Sequence, residues 1–185
     1  LVICLLAYGA ALHWLGPGLP GVGYPQNVHL IGWRDFGRDV ERLVETIERE
    51  TGKDVLVVGM DRNRIASGLA YYRTRALDTT ASAAARGDPA FDTATENLFG
   101  GIGLMYRLWF PAGGLEGRTM LLVAKDATRL EGEHVTAHAE SAGPIGSIDV
   151  RKNGRPAGRY HYRVVTGYRP GDEGAGAAEG SDRDD

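Results

Sequence analysis

Two stretches of the sequence are apolar without interruption, and they limit the possible folds more than any other feature of the chain. They run from Val55 to Met60 and from Met120 to Ala124. A strand with one face in water alternates apolar and polar residues, whereas a strand covered on both faces does not. The two runs therefore predict strands within a sheet that has helices on both faces.

Amphipathic patterns lie on both sides of the first run. Apolar residues recur with helical spacing from Phe36 to Ile47, and charged residues occupy the opposite face. Gly52 stands where a glycine would end that helix. The same period returns between Ile65 and Tyr72. The sequence thus predicts one helix before the strand and one after it.

Near the C-terminus, alternating residues flank the dipeptide Asn153-Gly154. Asn-Gly between alternating segments favours a β-hairpin, because both turn positions need a positive φ. The predicted fold class is therefore α/β: a layered sheet of parallel strands flanked by helices, with a C-terminal antiparallel hairpin.

Three further segments have weaker patterns. The apolar piece His29 to Trp33 is interpreted as a short first strand. Residues 75–97 are rich in Ala, Thr and Asp and contain Gly87-Asp88-Pro89, which predicts a long, partly mobile connection. Residues 129–141 are interpreted as a polar helix.

The first sixteen residues carry no charged side chain apart from His13, and a series of prolines and glycines follows them. The composition suits a membrane-spanning helix, but such a helix needs roughly 20 apolar residues. Three interpretations stay open: the end of a transmembrane helix that starts upstream, the core of a signal peptide, or a buried helix of a soluble core. Tyr8, His13 and Trp14 suit a membrane interface and favour the first.

The domain organisation follows from that interpretation. We expect the end of a transmembrane helix at 1–16, a Pro/Gly linker at 17–27, a soluble α/β domain at 28–170 and a disordered acidic tail at 171–185. Residues 16–33 hold no Lys or Arg, which favours the extracytoplasmic side of a cell membrane for the soluble domain. The chain begins at Leu1, which indicates that a segment was removed or that it is the end of a longer protein.

Charge and cysteine content argue against several classes of function. The net charge is −3, and the 18 arginines and three lysines are scattered among acids. No basic face is therefore expected for binding nucleic acid. The single cysteine, Cys4, allows no intrachain disulfide. The sequence contains no recognisable cofactor-binding motif, and no cofactor is expected in this chain.

The first candidate site is the charged corner Asp61-Arg62-Asn63-Arg64, directly after the first apolar run. Ligands of α/β proteins tend to bind outside the carboxyl ends of strands, where helix N-termini offer free N–H groups. Arg62 or Arg64 would reach an anion there. The alternative, which carries the greater weight, is that Asp61 or Asn63 only caps the following helix.

A second candidate stretch, residues 97–111, combines three glycines with a group of three aromatic residues near its end. They are Gly100, Gly101, Gly103, Tyr106, Trp109 and Phe110. The spacing is neither that of a nucleotide P-loop nor that of a dinucleotide-binding motif. The aromatic residues would form a surface for a sugar or a lipid, or they would belong to the core, which is the commoner case.

His134 and His138 are four residues apart, which on a helix places both on one face. The metalloprotease pattern is absent, and no third ligand is in view, so no metal site is predicted. No Ser/His/Asp or Cys/His grouping stands out, and no catalytic residue is assigned.

Four blocks of the sequence resemble a known family. They are "HLIGWRDFGRDVE", "VVGMDRNRIASGLAYYR", "NLFGGIGLMYRLWFP" and "IDVRKNGRPAGRYHYRVVTGY". Together they are similar to the soluble C-terminal portion of bacterial family 39 membrane glycosyltransferases, which include dolichyl-phosphate-mannose protein mannosyltransferases and aminoarabinose lipid A transferases. The resemblance covers residues 24–168.

The resemblance implies an accessory role. Such enzymes transfer a sugar from a polyprenyl-phosphate donor to a protein or lipid acceptor, and their catalytic acids lie in the membrane part and its first loop. None of those acids maps onto this chain. The expected partners are the transmembrane part of the parent protein and a sugar, sugar phosphate or polyprenyl-phosphate lipid. The alternatives are a noncatalytic, membrane-anchored interaction module and a soluble α/β enzyme with a buried N-terminal helix.

Overall fold

Five strands form one mixed sheet in the computed structural model, which describes residues 1–25, 31–77, 93–103, 105–109 and 114–171. The strands are β1 (Val55–Gly59), β2 (Thr93–Thr95), β3 (Thr119–Ala124), β4 (Ala139–Lys152) and β5 (Arg155–Tyr168). Their order in the sheet is β2-β1-β3-β5-β4. β2, β1 and β3 are parallel, whereas β5 is antiparallel to both of its neighbours. The predicted α/β fold class is confirmed.

Six α-helices and one 3₁₀ helix lie in the described ranges. They are α1 (Val2–Leu15), α2 (Trp33–Thr51), α3 (Arg64–Leu77), α4 (Tyr106–Trp109), α5 (Thr128–Glu131), α6 (Glu133–Ala137) and the 3₁₀ helix Glu96–Phe99. The predicted helices on both sides of the first strand are confirmed as α2 and α3. Gly52 ends α2 with a φ of 65°, the left-handed conformation that favours glycine.

The sheet separates two apolar cores. On one face, α2 and α3 pack against side chains of β1 and β3 such as Val57 and Leu121. On the other face, the 3₁₀ helix, α4, α5 and α6 pack against Leu56 and Leu122. Every residue of β1 and β3 is buried. The absence of alternation in the two apolar runs therefore reflects cover on both faces, as predicted.

The predicted hairpin is confirmed and is longer than the alternation indicated. β4 and β5 contain 14 residues each, and the turn between them is Asn153-Gly154. Asn153 has a φ of 51° and Gly154 a φ of 75°. Both turn residues are therefore left-handed, as a tight Asn-Gly hairpin turn requires.

Three predictions about the weaker segments need correction. The single helix over 129–141 is wrong, because α5 and α6 are short and β4 already begins at Ala139. The connection over 75–97 contains the end of α3, the strand β2 and the start of the 3₁₀ helix, and residues 78–92 lie outside the described residues. Trp33 begins α2 rather than ending a strand, and 26–30 lie outside the described residues, as do 172–185 of the predicted tail.

The N-terminal helix α1 has apolar side chains on all sides, and none of its residues is buried. Leu1 is 97% exposed, Ile3 81% and Leu6 69%. A helix of a soluble core would bury such side chains, so that alternative does not describe α1. Within the described residues, no helix combines the length and the apolar character needed to cross a bilayer.

The tip of the hairpin holds the segment that follows α1. Three side chains there donate hydrogen bonds to backbone carbonyls, namely Lys152 to Leu15, Asn153 to Pro17 and Arg155 to Leu19. The lysine ammonium binds the carbonyl at the end of α1, where a helix dipole favours a cation. Tyr24, which is 3% exposed, packs beneath the same ammonium at 5.4 Å from ring centroid to Nζ. We refer to Lys152, Asn153 and Arg155 as the hairpin joint.

Candidate functional site at the carboxyl edge of the sheet

The parallel strands β2, β1 and β3 all end at one edge of the sheet, which we call the carboxyl edge. The chain leaves β1 into α3 on one face and leaves β3 into α5 on the other. Neighbouring strands whose connections leave on opposite faces form a topological switch point, where open α/β sheets bind ligands. The fold thus places its expected crevice between the ends of β1 and β3.

Asp61 lies directly after β1 at this edge and caps α3. Its two carboxylate oxygens accept hydrogen bonds from the Ile65 backbone N–H, at 3.0 and 3.1 Å. The Asn63 carbonyl accepts from the Ser67 N–H at 2.9 Å. The capping interpretation of Asp61 is therefore confirmed. The carboxylate occupies N–H groups that an anionic ligand would otherwise use.

Burial of the Asp61 carboxyl raises its pKa above the ordinary value of 3.8, and the hydrogen bond from Ile65 opposes this shift. The folded protein then holds this proton more tightly than the unfolded chain. Asp61 therefore contributes stability at pH values below its pKa in the unfolded chain. This contribution is lost as the pH rises through the higher pKa of the folded state. Ionised Asp61 is thus a cost to folding at neutral pH, although it caps a helix.

We expect Asp61→Asn to have a higher free energy of unfolding than the parent at pH 7, because the amide oxygen still caps α3 and carries no charge. The difference is expected to shrink as the pH falls toward 3, where Asp61 is protonated in the parent. Urea denaturation at a series of pH values measures it. Asp61→Ala is the control and loses about 1 kcal/mol with the cap. A difference between Asp61→Asn and the parent that is independent of pH would contradict this assignment.

The other three residues of the predicted corner point into solvent. Arg62, Asn63 and Arg64 are all exposed. The charge of Arg64 acts on the Asp61 carboxyl and opposes the rise in its pKa. The two arginines therefore give this part of the carboxyl edge an exposed positive charge.

Residues that the sequence analysis did not single out complete the edge. Arg129 of α5 donates to the Met60 carbonyl at 3.2 Å and to the Glu96 carboxylate at 3.0 Å. It therefore ties the ends of β1 and β2 together. The guanidinium is 54% exposed, so this ion pair adds little stability but orients Glu96.

Lys125 follows β3 directly and lies against the ring of Tyr160 on β5, with Nζ 4.8 Å from the ring centroid. Burial lowers the pKa of Lys125. Burial also raises the pKa of Tyr160, and the nearby charge of Asp61 adds to that shift. The carboxyl ends of β1 and β3 are therefore followed by a carboxylate and an ammonium, with a phenol beside them on β5. This set of groups hydrogen-bonds to hydroxyl groups and phosphates.

The glycine-rich stretch is partly structural. Gly100 ends the 3₁₀ helix with a φ of 80° and has open space around it. A side chain on Gly101 would meet Glu96, and one on Gly103 would lie 2.5 Å from the Thr95 hydroxyl. The last two positions therefore need glycine because residues 96–103 fold tightly over the end of β2.

Tyr106 belongs to the core, since it is 8% exposed and its hydroxyl lies 3.1 Å from that of Ser67 in α3. This contact joins the glycine-rich stretch to the Asp61 corner. The backbone of Trp109 ends α4, but its side chain, like Phe110, lies outside the described residues. The structure thus brings Asp61 to Arg64, Gly100, Gly101 and Tyr106 to one edge.

Two other features involve residues outside the predicted site, and the first of them adjoins Lys125, whose Nζ would lie 3.2 Å from a side chain placed on Gly158. A shallow hollow of about 350 Å³ on the hairpin is lined by Asp149, Arg151, Pro156, Gly158 and Arg159. The His138 ring Nδ1 lies 2.7 Å from the His134 carbonyl. Among the residues described, no three His, Cys, Asp or Glu side chains are arranged to hold a metal ion, and no cofactor is positively indicated.

The arrangement of residues at the carboxyl edge is the main guide to function. No protein-family model matches the sequence, and no curated protein and no solved structure is significantly similar to it.

Proposed function

We propose that this chain is the extracytoplasmic accessory domain of a membrane glycosyltransferase that transfers a sugar from a polyprenyl-phosphate donor to a protein or lipid acceptor. The single observation that carries the proposal is α1, a helix without Asp, Glu, Lys or Arg and without one buried residue. Removing a large aliphatic side chain from water contributes about 1.5–3 kcal/mol, and α1 offers many. A bilayer or a bundle of membrane helices supplies the apolar surroundings that the domain does not.

The hairpin joint gives this proposal a defined geometry. It binds the carbonyls that follow α1, so the domain is attached to the helix through its sheet. β5 runs antiparallel to β3, with His161 opposite Ala124 at the carboxyl end of β3. The start of β5 and the joint therefore lie on the same side as the carboxyl edge. In this proposal that edge faces the membrane part of the enzyme.

The role of the domain is accessory, with no catalytic residue of its own. The carboxyl edge, with Asp61 to Arg64, Gly100, Gly101 and Trp109, contacts the sugar or the phosphate of the donor near the entrance for the acceptor. Tyr106 supports this edge from the core. The ammonium of Lys125 and the exposed arginines suit a phosphate, and the carboxylates suit sugar hydroxyls.

The test is a vesicle experiment with tryptophan fluorescence, using the Trp14→Phe variant so that insertion of α1 does not dominate the signal. We expect the chain to float with lipid vesicles, because no residue of α1 is buried against the described part of the domain. Adding polyprenyl phosphate or a polyprenyl-phosphate sugar to the vesicles is expected to change the emission of Trp33 or Trp109. Leu5→Gln with Leu6→Gln is the matched control and is expected to weaken flotation at least tenfold.

The alternative is a noncatalytic membrane-anchored interaction module, and one observation favours it. Asp61 is already engaged in capping α3, so part of the predicted corner has a structural role. Flotation without any response to polyprenyl phosphate, sugar phosphates or sugars would support this alternative. Failure to float would contradict both proposals.

A further inference from the structure

Three exposed apolar side chains lie in the segment after the 3₁₀ helix. Ile102 is 60% exposed, Met105 55% and Leu108 73%. The segment turns through hydrogen bonds from the Tyr106 N–H to the Gly103 carbonyl and from the Leu108 N–H to the Met105 carbonyl. Residues three apart lie on the same side of such a turn, so Met105 and Leu108 share one side. Ile102 precedes the first turn, and we refer to Ile102, Met105 and Leu108 as the 102–108 patch.

The 102–108 patch lies at the carboxyl edge. Gly103 packs against Thr95, the last residue of β2, and Tyr106 reaches Ser67 in the first turn of α3. The hairpin joint projects from β5 on the same side of the sheet. In the strand order β2 and β5 are three positions apart, which is roughly 14 Å at the usual strand spacing. The patch and the exit of α1 therefore both lie on the carboxyl side of the sheet.

Few large apolar side chains are exposed elsewhere in the described part of the chain. Outside α1 and the patch they are Val22, in the linker next to the joint, and Tyr71 on α3. Exposed apolar surface is thus concentrated in α1 and the patch, both on the carboxyl side of the sheet. Such concentration in a soluble domain indicates an interaction surface rather than chance exposure.

Charge at the same edge identifies the partner. Arg62 and Arg64 are exposed at the end of β1, which lies between β2 and the hairpin in the sheet. Apolar side chains beside exposed arginines match the interface of a bilayer, where acyl chains lie beneath anionic phosphates. A protein partner would not require the positive charge.

We infer that the carboxyl edge is a second membrane contact, in which the 102–108 patch inserts into the lipid interface and the two arginines bind lipid phosphates. This inference rests on the proposed membrane attachment and adds an orientation to it. The domain then lies with its carboxyl edge on the bilayer, and the predicted site residues lie at the level of the lipid headgroups.

Depth-sensitive labelling tests the inference on the full chain. An environment-sensitive fluorophore is attached at Cys4 in the parent, or in a Cys4→Ser background at Met105→Cys or at Lys53→Cys. The last position is exposed at the opposite edge, before β1. With vesicles of phosphatidylcholine and phosphatidylglycerol, we expect blue-shifted emission, quenched by spin-labelled lipid, at positions 4 and 105 and not at 53. Unfolding midpoints of the labelled proteins confirm that each variant is folded.

A second measurement uses affinity. Replacing Ile102, Met105 and Leu108 together with serine is expected to raise the lipid concentration for half-maximal binding by about tenfold or more, whereas Tyr71→Ser leaves it unchanged. Replacing Arg62 and Arg64 with alanine is expected to remove most of the preference for phosphatidylglycerol over pure phosphatidylcholine.

The outcomes separate the two proposals. A label that inserts at position 4 and stays in water at 105 overturns the second contact and leaves membrane attachment standing. A label that stays in water at both positions overturns the attachment as well. Equal insertion at 53 and 105 contradicts the proposed orientation, and so does a serine variant that binds as tightly as the parent, which would fit a protein occupant such as a second copy of the chain.

Discussion

Replacing Glu41 with alanine is expected to lower the free energy of unfolding by about 3–5 kcal/mol. Glu41 of α2 accepts a hydrogen bond from the Arg73 Nε of α3 at 2.7 Å, and both side chains are 6% exposed. The same guanidinium donates to the Thr93 hydroxyl at 3.2 Å, so it also joins α3 to β2. Without the carboxylate, the fold retains a buried guanidinium that has lost its ion pair with Glu41.

Urea denaturation followed by circular dichroism measures this effect. Glu45→Ala, an exposed glutamate on the same helix, is the matched control and is expected to change stability by less than about 0.5 kcal/mol. The double variant Glu41→Leu with Arg73→Met is expected to recover most of the loss, because it removes both charges and keeps the volume. A loss below about 1 kcal/mol for Glu41→Ala would contradict a desolvated pair.

The second large effect is expected at Gly32, where alanine should cost about 2–4 kcal/mol through backbone strain and overpacking together. Gly32 precedes α2 with a φ of 82°, and its carbonyl accepts from the Phe36 N–H at 2.9 Å. A side chain at this position would lie 2.6 Å from the Val150 Cγ1 and 3.6 Å from the Ala157 Cβ. The close approach of α2 to the hairpin therefore depends on glycine.

Gly52→Ala is the matched control for this prediction. Gly52 has a φ of 65°, but nothing lies within 4 Å of a side chain placed there. It therefore isolates the backbone strain, about 1–2 kcal/mol. Thermal unfolding of both variants gives the comparison, and equal losses at the two positions would show that contact with the hairpin contributes nothing.

Elements governed by local sequence were predictable. β1 and β3 are apolar runs, α2 has a regular amphipathic face, and Asn153-Gly154 specifies a tight turn by itself. β2 has only three residues, Thr-Ala-Thr, and all are buried. Its strand conformation depends on pairing with β1, which no pattern within the segment reveals. The polar segment after β3 has a pattern that predicts one helix. The structure has two short helices that separate at Gly132, because Leu130 and Val135 both pack under the sheet.

The candidate site was predictable only where it follows a recognisable strand. Asp61 follows the first apolar run directly, and Lys125 and Asp126 follow the second in the same way, so the sequence carries the same signal at both positions. Arg129 and Glu96 carried no such signal. Their meeting across the ends of β1 and β2 depends on the order of strands in the sheet, which the sequence does not state.

The hairpin joint connects α1 to the sheet through hydrogen bonds and not through a flexible linker alone. Lys152 and Asn153 donate hydrogen bonds to carbonyls at the end of α1 and directly after it. From this point β5 runs into the sheet beside β3. A change in the orientation of α1 would therefore displace β5, and Tyr160 on β5 would move relative to Lys125. The distance between the Lys125 ammonium and the Tyr160 ring would thus depend on the orientation of α1.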